Sequence, residues 1–455
     1  MSKTTQLEDI KNNVKNNTPA KNERFVKLIP GTKIEIEEWK NILSDNFPDL
    51  VFAAEAGLSV IGQLLIDDIK NPFALVYVDV PSSGKTVTLN FFSTIKELIF
   101  TADDFTPASF VSHAANRKKE DLEKIDMLPQ IRYKTLLVRD MAPIFAKRDE
   151  DVQEMLGILI RVLDGEGYEK SGGVHGKRGY IGDYLFMLLS ASTPIRPRIW
   201  KVMGNLGSRL FFFNIDGSEK DEMTLANQLK TSCRDKEIVC REATEEFIKT
   251  LWSKYPQGIT WDKEKDDTNL TQIIARLAMV LAKLRSPINV WEEAAGQKKY
   301  NHTQIIVEMP DRLNQLLYNI TRGHALVCGR ENIAREDLVM TIRVALDSAL
   351  PNRSKIFKHL IYSNGELATS EVMRIIKCSR PTALRLMQEM TLLELVDTSG
   401  DLDDEIHHES KQEQRIILKD KYSWFISDEC KKLINHSVRN SLLTKSDAVP
   451  ERYDK

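Results

Sequence analysis

The spacing of apolar residues changes twice along the chain, and each change predicts a different kind of structure. A polar stretch over residues 1–45, rich in lysine and asparagine and broken at Pro19 and Pro30, predicts a loosely ordered leader with a short helix or two. Over 52–69 the apolar positions recur with a helical period. Phe73-Ala-Leu-Val-Tyr-Val-Asp-Val80 follows, a short apolar and β-branched run of the kind that forms a buried strand. Helix-like and strand-like segments then alternate to Asn214, the rhythm of an α/β fold with a parallel sheet and helical crossovers. Over 149–163, Val152, Met155, Leu156, Leu159, Ile160 and Leu163 share one helical face, spaced to pack on that sheet. Between 217 and 350 the strand runs stop and the pattern reads as helices, the last two over 311–328 and 335–349.

From Lys355 the pattern tightens into helix, turn and helix. Residues 355–363 form the first helix, Asn364-Gly365 a turn, and 369–377 the second, with Val372, Ile375 and Ile376 apolar. Ser379 caps a third helix that carries Pro381 in its first turn, where proline is tolerated. There Ala383, Leu384, Leu386, Met387 and Met390 point inward, leaving Arg380, Thr382, Arg385 and Gln388 outward. Residues 393–396 and 415–418 are spaced to pair as the strands of a wing.

Composition narrows the possibilities. A chain of 455 residues exceeds one hydrophobic core and suggests roughly three domains. Its 64 basic and 66 acidic residues nearly cancel, so a nucleic-acid surface must be a local patch. No apolar run approaches the ~20 residues of a membrane helix, the longest lying near 184–189, and the first residues lack an apolar signal core. The five cysteines show no CxxC pairing and the eight histidines do not cluster with them. That composition argues against a zinc site and for reduced thiols in a cytoplasmic protein.

Candidate chemistry begins after the first strand, at Asp79-Val-Pro-Ser-Ser-Gly-Lys-Thr86, followed by a helical run over 87–100. Ser83 and Gly84 let backbone approach a phosphate, Lys85 offers a point charge, and Thr86 offers a hydroxyl to Mg²⁺. The opening of the next helix turns N–H groups toward the anion. The first glycine of the GxxxxGK[ST] pattern is replaced by Asp79, and Pro81 sits within the loop.

A second buried strand, Tyr133-Lys-Thr-Leu-Leu-Val-Arg-Asp140, ends in charge. Phosphoryl-transfer sites need a carboxylate here for the metal and a second one for water. Two registers are open. Asp140 holds Mg²⁺ and Met141 leaves the base missing, or Arg139 takes the metal position and Asp140 acts as base. Both predict slow or conditional hydrolysis.

Further along come a glycine-rich hairpin at Gly172-Gly-Val-His-Gly-Lys-Arg-Gly-Tyr180, a third strand over 184–190, and Ser190-Ala-Ser-Thr-Pro194. Gly204-Asn-Leu-Gly-Ser-Arg-Leu-Phe-Phe-Phe213 closes the series. Over residues 46–350 this order of parts resembles the AAA+ P-loop ATPases, in the branch with a hairpin before the sensor strand. Minichromosome-maintenance helicases and MoxR-type ATPases belong to that branch. The resemblance implies a nucleotide-binding core over 46–216 and a helical lid over 217–350; the residue pattern beyond them reads as a winged helix-turn-helix over 351–455. It implies ATP and Mg²⁺ as cofactors, with Thr193 sensing the γ-phosphate. Arg209, after Ser208, would act as a finger reaching a neighbouring subunit in an oligomeric ring. Pro310-Asp-Arg312 is similar to a second sensor segment and nominates Arg312. Lys177 and Arg178 are either a solvated hairpin tip or contacts to a threaded substrate.

In the C-terminal module a helix–turn–helix would put its second helix in the major groove, with Lys377, Arg380 and Arg385 on DNA. The acidic Asp401, Asp403, Asp404 and Glu405 in the wing loop oppose that reading, since they repel phosphate. His407 and His408 are expected to be exposed loop residues. Winged helices also dock on proteins. The leading expectation is an ATP-driven, DNA-associated machine, helicase-like or loader-like. The alternatives are a MoxR-like protein remodeller and a nucleotide-gated scaffold with little hydrolysis. No nuclease, methyltransferase or protease constellation is visible.

Overall fold

The computed structural model of the protein describes residues 24–112, 119–172, 176–207, 209–215, 221–230, 232–292, 300–399 and 413–438. Seven strands come first in the chain: β1 (Ala74–Val78), β2 (Ile99–Ala102), β3 (Thr135–Val138), β4 (Gly167–Gly172), β5 (Gly176–Ile181), β6 (Met187–Ser192) and β7 (Leu210–Asn214). Five of them form a central parallel sheet in the order β2-β3-β6-β1-β7, so the fold is α/β. Every residue of β1, β3 and β6 is buried. Strands covered on both faces have no polar side to show, which is why they read as unbroken apolar runs. In register, Val78 stands beside Ser192 and Val138 beside Ser190, so these three strands end along one edge.

The sequence expectation fails at β2. The run over 87–100 is not one helix; the helix Lys85–Asn90 ends early, turns follow, and Ile99 opens a strand. β2 lies at the sheet's margin and buries only Ile99 fully, so it lacks the apolar run that marked its neighbours.

Chain contacts divide the protein into two units. One takes the residues up to Ile195 together with Ile215–Lys265 and Arg322–Asn332. Within it the helix Val51–Gly62 is buried along almost its whole length. Its surroundings, Pro48–Leu65, form one window apolar enough to cross a membrane by composition, a stretch the sequence reading passed over. With 78% of it buried inside the fold, it serves as a core helix. The helix Asp149–Val162 buries the predicted face of Val152, Met155, Leu156, Leu159 and Ile160. β4 and β5 form the expected antiparallel hairpin, anchored where the Tyr180 hydroxyl donates to Asp126 Oδ2 at 2.9 Å.

The second unit takes Arg196–Asn214, Asp266–Thr321 and the residues from Ile333 onward. Here the all-helical expectation for 217–350 needs a correction, because β8 (Val290–Glu292) and β9 (Tyr300–His302) pair as a hairpin. Each is only three residues long, too short to show a period. The C-terminal part runs helix Pro351–Tyr362, β10 (Glu366–Ala368), helices Thr369–Ile376 and Arg380–Leu392, then β11 (Val396–Ser399) and β12 (Arg415–Leu418). The strands make an antiparallel sheet in the order β10-β12-β11, with Val396 opposite Leu418. The sequence anticipated β12 at its observed bounds but set the other wing strand at 393–396, which overlaps β11 only at Val396; β10 follows the expected Asn364-Gly365 turn and was not anticipated.

Candidate functional site

The site starts where β1 ends. Asp79 N donates to Ser192 O at 3.4 Å, and the chain then curls through Ser82 (φ 67°) and Gly84 (φ 97°) into the helix Lys85–Asn90. A Cβ on Gly84 would lie 2.8 Å from Leu50 Cδ2, and that backbone angle itself favours glycine. Lys85 folds back over the curl. Its Nζ donates to Asp79 O at 2.8 Å, Val80 O at 2.6 Å and Ser83 Oγ at 3.3 Å, so a cation lies inside the bend. Burial lowers the Lys85 pKa, while the charges of Asp79 and Asp140 oppose that shift. Thr86 is exposed and Ser83 half-buried.

Asp140 and Arg139 part company at the end of β3. Arg139 Nη1 pairs with Asp103 Oδ1 at 3.0 Å, both side chains largely in solvent. Asp140 is exposed; its Oδ1 accepts from Ala142 N at 2.8 Å, and its charge reaches Lys85. Met141 is fully buried. Thr193 is exposed just past the end of β6, whose Ser190 Oγ donates to Val138 O at 2.8 Å. The ends of β1, β6 and β3 thus bring Ser83, Gly84, Lys85, Thr86, Thr193 and Asp140 to one edge. In parallel α/β sheets, ligands bind at the carboxyl edge of the strands.

Arg209 and Arg312 are elsewhere, in the second unit. Arg209 is only 8% exposed and Arg312 lies at the surface. Both act on Glu308, whose carboxyl burial pushes up while Arg285, Arg312 and Arg209 pull it down. Arg285 Nε stands 4.0 Å from Glu308 Oε1. Within the chain, Arg209 Nη1 donates to Gly207 O at 3.4 Å. Ser208 lies outside the described residues.

The other nominated cations are surface groups. Lys377 ends its helix in the left-handed region (φ 57°), and Lys377, Arg380 and Arg385 are all exposed. The helix Arg380–Leu392 is fixed from behind by Ala383, Leu386, Met387 and Met390, and by Arg353 Nε donating to Glu389 at 3.0 Å. On the hairpin, Lys177 is exposed and pairs with Glu169 at 3.7 Å, and Arg178 is half-buried opposite Lys170. Asp401, Asp403, Asp404, Glu405, His407 and His408 lie outside the described residues.

One cluster brings together groups that the sequence reading had kept apart. Glu55, His324 and Cys328 bring a carboxylate oxygen, a ring nitrogen and a sulfur within 4.8 Å of one another, in the unit that also carries the loop. The signal was present in part, since His324 and Cys328 are one helical turn apart. Glu55, far away in sequence, carried none. No protein-family model matches the chain, and no curated protein matches it.

Proposed function

We propose that the chain is an ATP-binding protein of the AAA+ type that works as an oligomeric, DNA-associated machine through a C-terminal winged helix. One observation carries the nucleotide reading: a left-handed glycine and an inward-held lysine, on a loop at the carboxyl edge of a parallel sheet, with an exposed aspartate at the end of β3, two strands along the same edge. Gly84 takes the left-handed turn that opens the helix, and the Lys85 ammonium lies inside the curl, a fixed cation for a polyphosphate to meet. Ser83, Gly84 and Lys85 would hold the phosphates, and Thr86 and Asp140 the Mg²⁺. Bound Mg²⁺–ATP would supply the transferable phosphoryl group and its countercharge. Thr193 would donate its hydroxyl toward the terminal phosphate. The DNA reading rests on the exposed Lys377, Arg380 and Arg385 around the helix Arg380–Leu392.

A second reading has its own support. Arg139 is engaged with Asp103 and Met141 is buried, so Asp140 is the one carboxylate that this strand end offers. A site with one carboxylate can hold a metal while lacking a base, which favours a nucleotide-gated regulator with slow turnover.

The test is ATP binding and hydrolysis by the purified chain, with and without single- and double-stranded DNA, beside Lys85→Ala and Asp140→Ala. DNA-raised turnover that both substitutions abolish supports the machine. Tight binding that Lys85→Ala abolishes, without turnover, supports the regulator. Binding unaffected by Lys85→Ala overturns both.

A further inference from the structure

We propose that Glu55, His324 and Cys328 form a binding site for a single zinc-like divalent ion, distinct from the nucleotide loop. The site is built where two helices touch. A Cβ on Gly323 would fall 2.1 Å from Ser59 O, so only glycine allows the backbones of Val51–Gly62 and Asp311–Val327 to meet there. That approach sets His324 against Glu55, four residues before Ser59 on the facing helix. His324 Nε2 lies 3.1 Å from Glu55 Oε1 and 3.9 Å from Cys328 Sγ. In a tetrahedral zinc site with Zn–N and Zn–S bonds of 2.0–2.3 Å, neighbouring ligand atoms stand about 3.3–3.8 Å apart. The His324 nitrogen thus stands near ligand spacing from both partners, and all three donor atoms lie within 4.8 Å of one another.

The chemistry of the set is selective. A sulfur, an imidazole and one carboxylate suit zinc and its borderline-soft neighbours, whereas magnesium and calcium prefer oxygen alone. The Glu55 and His324 side chains are 8% and 7% exposed, so the ion would be largely withdrawn from solvent. Three protein ligands leave a fourth position for water.

Lys40 regulates the site. Its Nζ holds Glu55 Oε1 at 2.6 Å. An incoming cation must displace this ammonium, and the lysine side chain, 28% exposed on a flexible stem, has a route into solvent. On binding, the Cys328 thiol gives its proton to solvent and the thiolate sulfur bonds the metal. His324 binds through Nε2 after the proton that Nε2 holds toward Glu55 passes to solvent, the ring then keeping its one proton on Nδ1, and Lys40 leaves still protonated.

The experiment uses the full chain, stripped with chelator and titrated with Co²⁺ and then Zn²⁺. It is read by the thiolate-to-cobalt charge-transfer band and by bound metal per chain. One equivalent is expected, with Zn²⁺ displacing Co²⁺. Cys328→Ser should abolish the band in a protein that still folds, whereas Cys378→Ser should keep it. His324→Ala should weaken binding by at least about tenfold, the loss seen when even an outer partner of a ligand is removed. Lys40→Met should tighten binding, a result that a purely structural ion pair would not give. No band in the parent chain, or a band that survives Cys328→Ser, overturns the proposal. Loss of nucleotide binding in Lys85→Ala with metal binding intact would show that the two sites stand or fall separately.

Discussion

Gly84 holds a backbone angle that any other residue would occupy under strain, and Lys85 depends on it. The lysine reaches Asp79 O and Val80 O because the chain turns left-handed one residue earlier. Gly84→Ala should therefore act mainly through the backbone. The new Cβ would press on the mobile end of Leu50, a contact that can yield, but φ at 97° cannot be kept cheaply. A non-glycine residue in such a region costs about 1–3 kcal/mol. If the loop relaxes to escape that cost, affinity for ATP should fall by about tenfold or more. Calorimetric titration would measure it, and unchanged affinity would mean that the loop does not hold phosphate. The Gly-Lys-Thr run was legible in sequence because its chemistry is local. The choice between Arg139 and Asp140 was not, because it turns on Asp103, a partner on the next strand. Arg209 was likewise unreadable as a buried residue, since its surroundings include Glu308 and Arg285, 99 and 76 residues further along the chain.

Elements were legible in proportion to length and burial. The helix Asp149–Val162 and the strands β1, β3 and β6 carry unbroken signals, whereas β2, β8, β9 and β10 are short or marginal and carry almost none. What secures the short ones is tertiary pairing. In the second unit the last turns of the helix Asp337–Asp347 bond to β7. Asp347 Oδ2 meets Arg343 Nε at 2.5 Å and Asn214 N at 3.0 Å, and Asp347 Oδ1 meets Lys358 Nζ at 3.0 Å. Burial alone would raise the Asp347 pKa; Arg343 and Lys358 overcome it, and the carboxyl lies below its ordinary value of 3.8. A depressed carboxyl contributes stability that is present above the unfolded value and lost as pH falls through the folded one. Asp347→Asn leaves the buried Arg343 and the half-buried Lys358 short of their partner and should cost about 3–5 kcal/mol at neutral pH. In urea titrations the gap between parent and variant should close in strong acid. A gap independent of pH would assign the loss to packing instead.

At the scale of the whole molecule, charge balance constrains how DNA can be held. With a formal net charge of −2, the chain has no long-range attraction for a polyanion, and binding must rest on a few local contacts. Lys377, Arg380 and Arg385 are the exposed cations around one helix of the C-terminal module. If these three reach phosphates, the logarithm of the binding constant should fall against the logarithm of salt with a slope of about −2.7, roughly 0.9 for each phosphate neutralised. Each single substitution to alanine should then flatten the slope by about 1. A steeper slope that Lys177→Ala and Arg178→Ala also reduce would bring the β4–β5 hairpin into the DNA contact. A slope near zero, or one indifferent to all five residues, would remove DNA from the proposal. The module would then be a protein dock, and the acidic Asp401, Asp403, Asp404 and Glu405 would count as part of its binding chemistry.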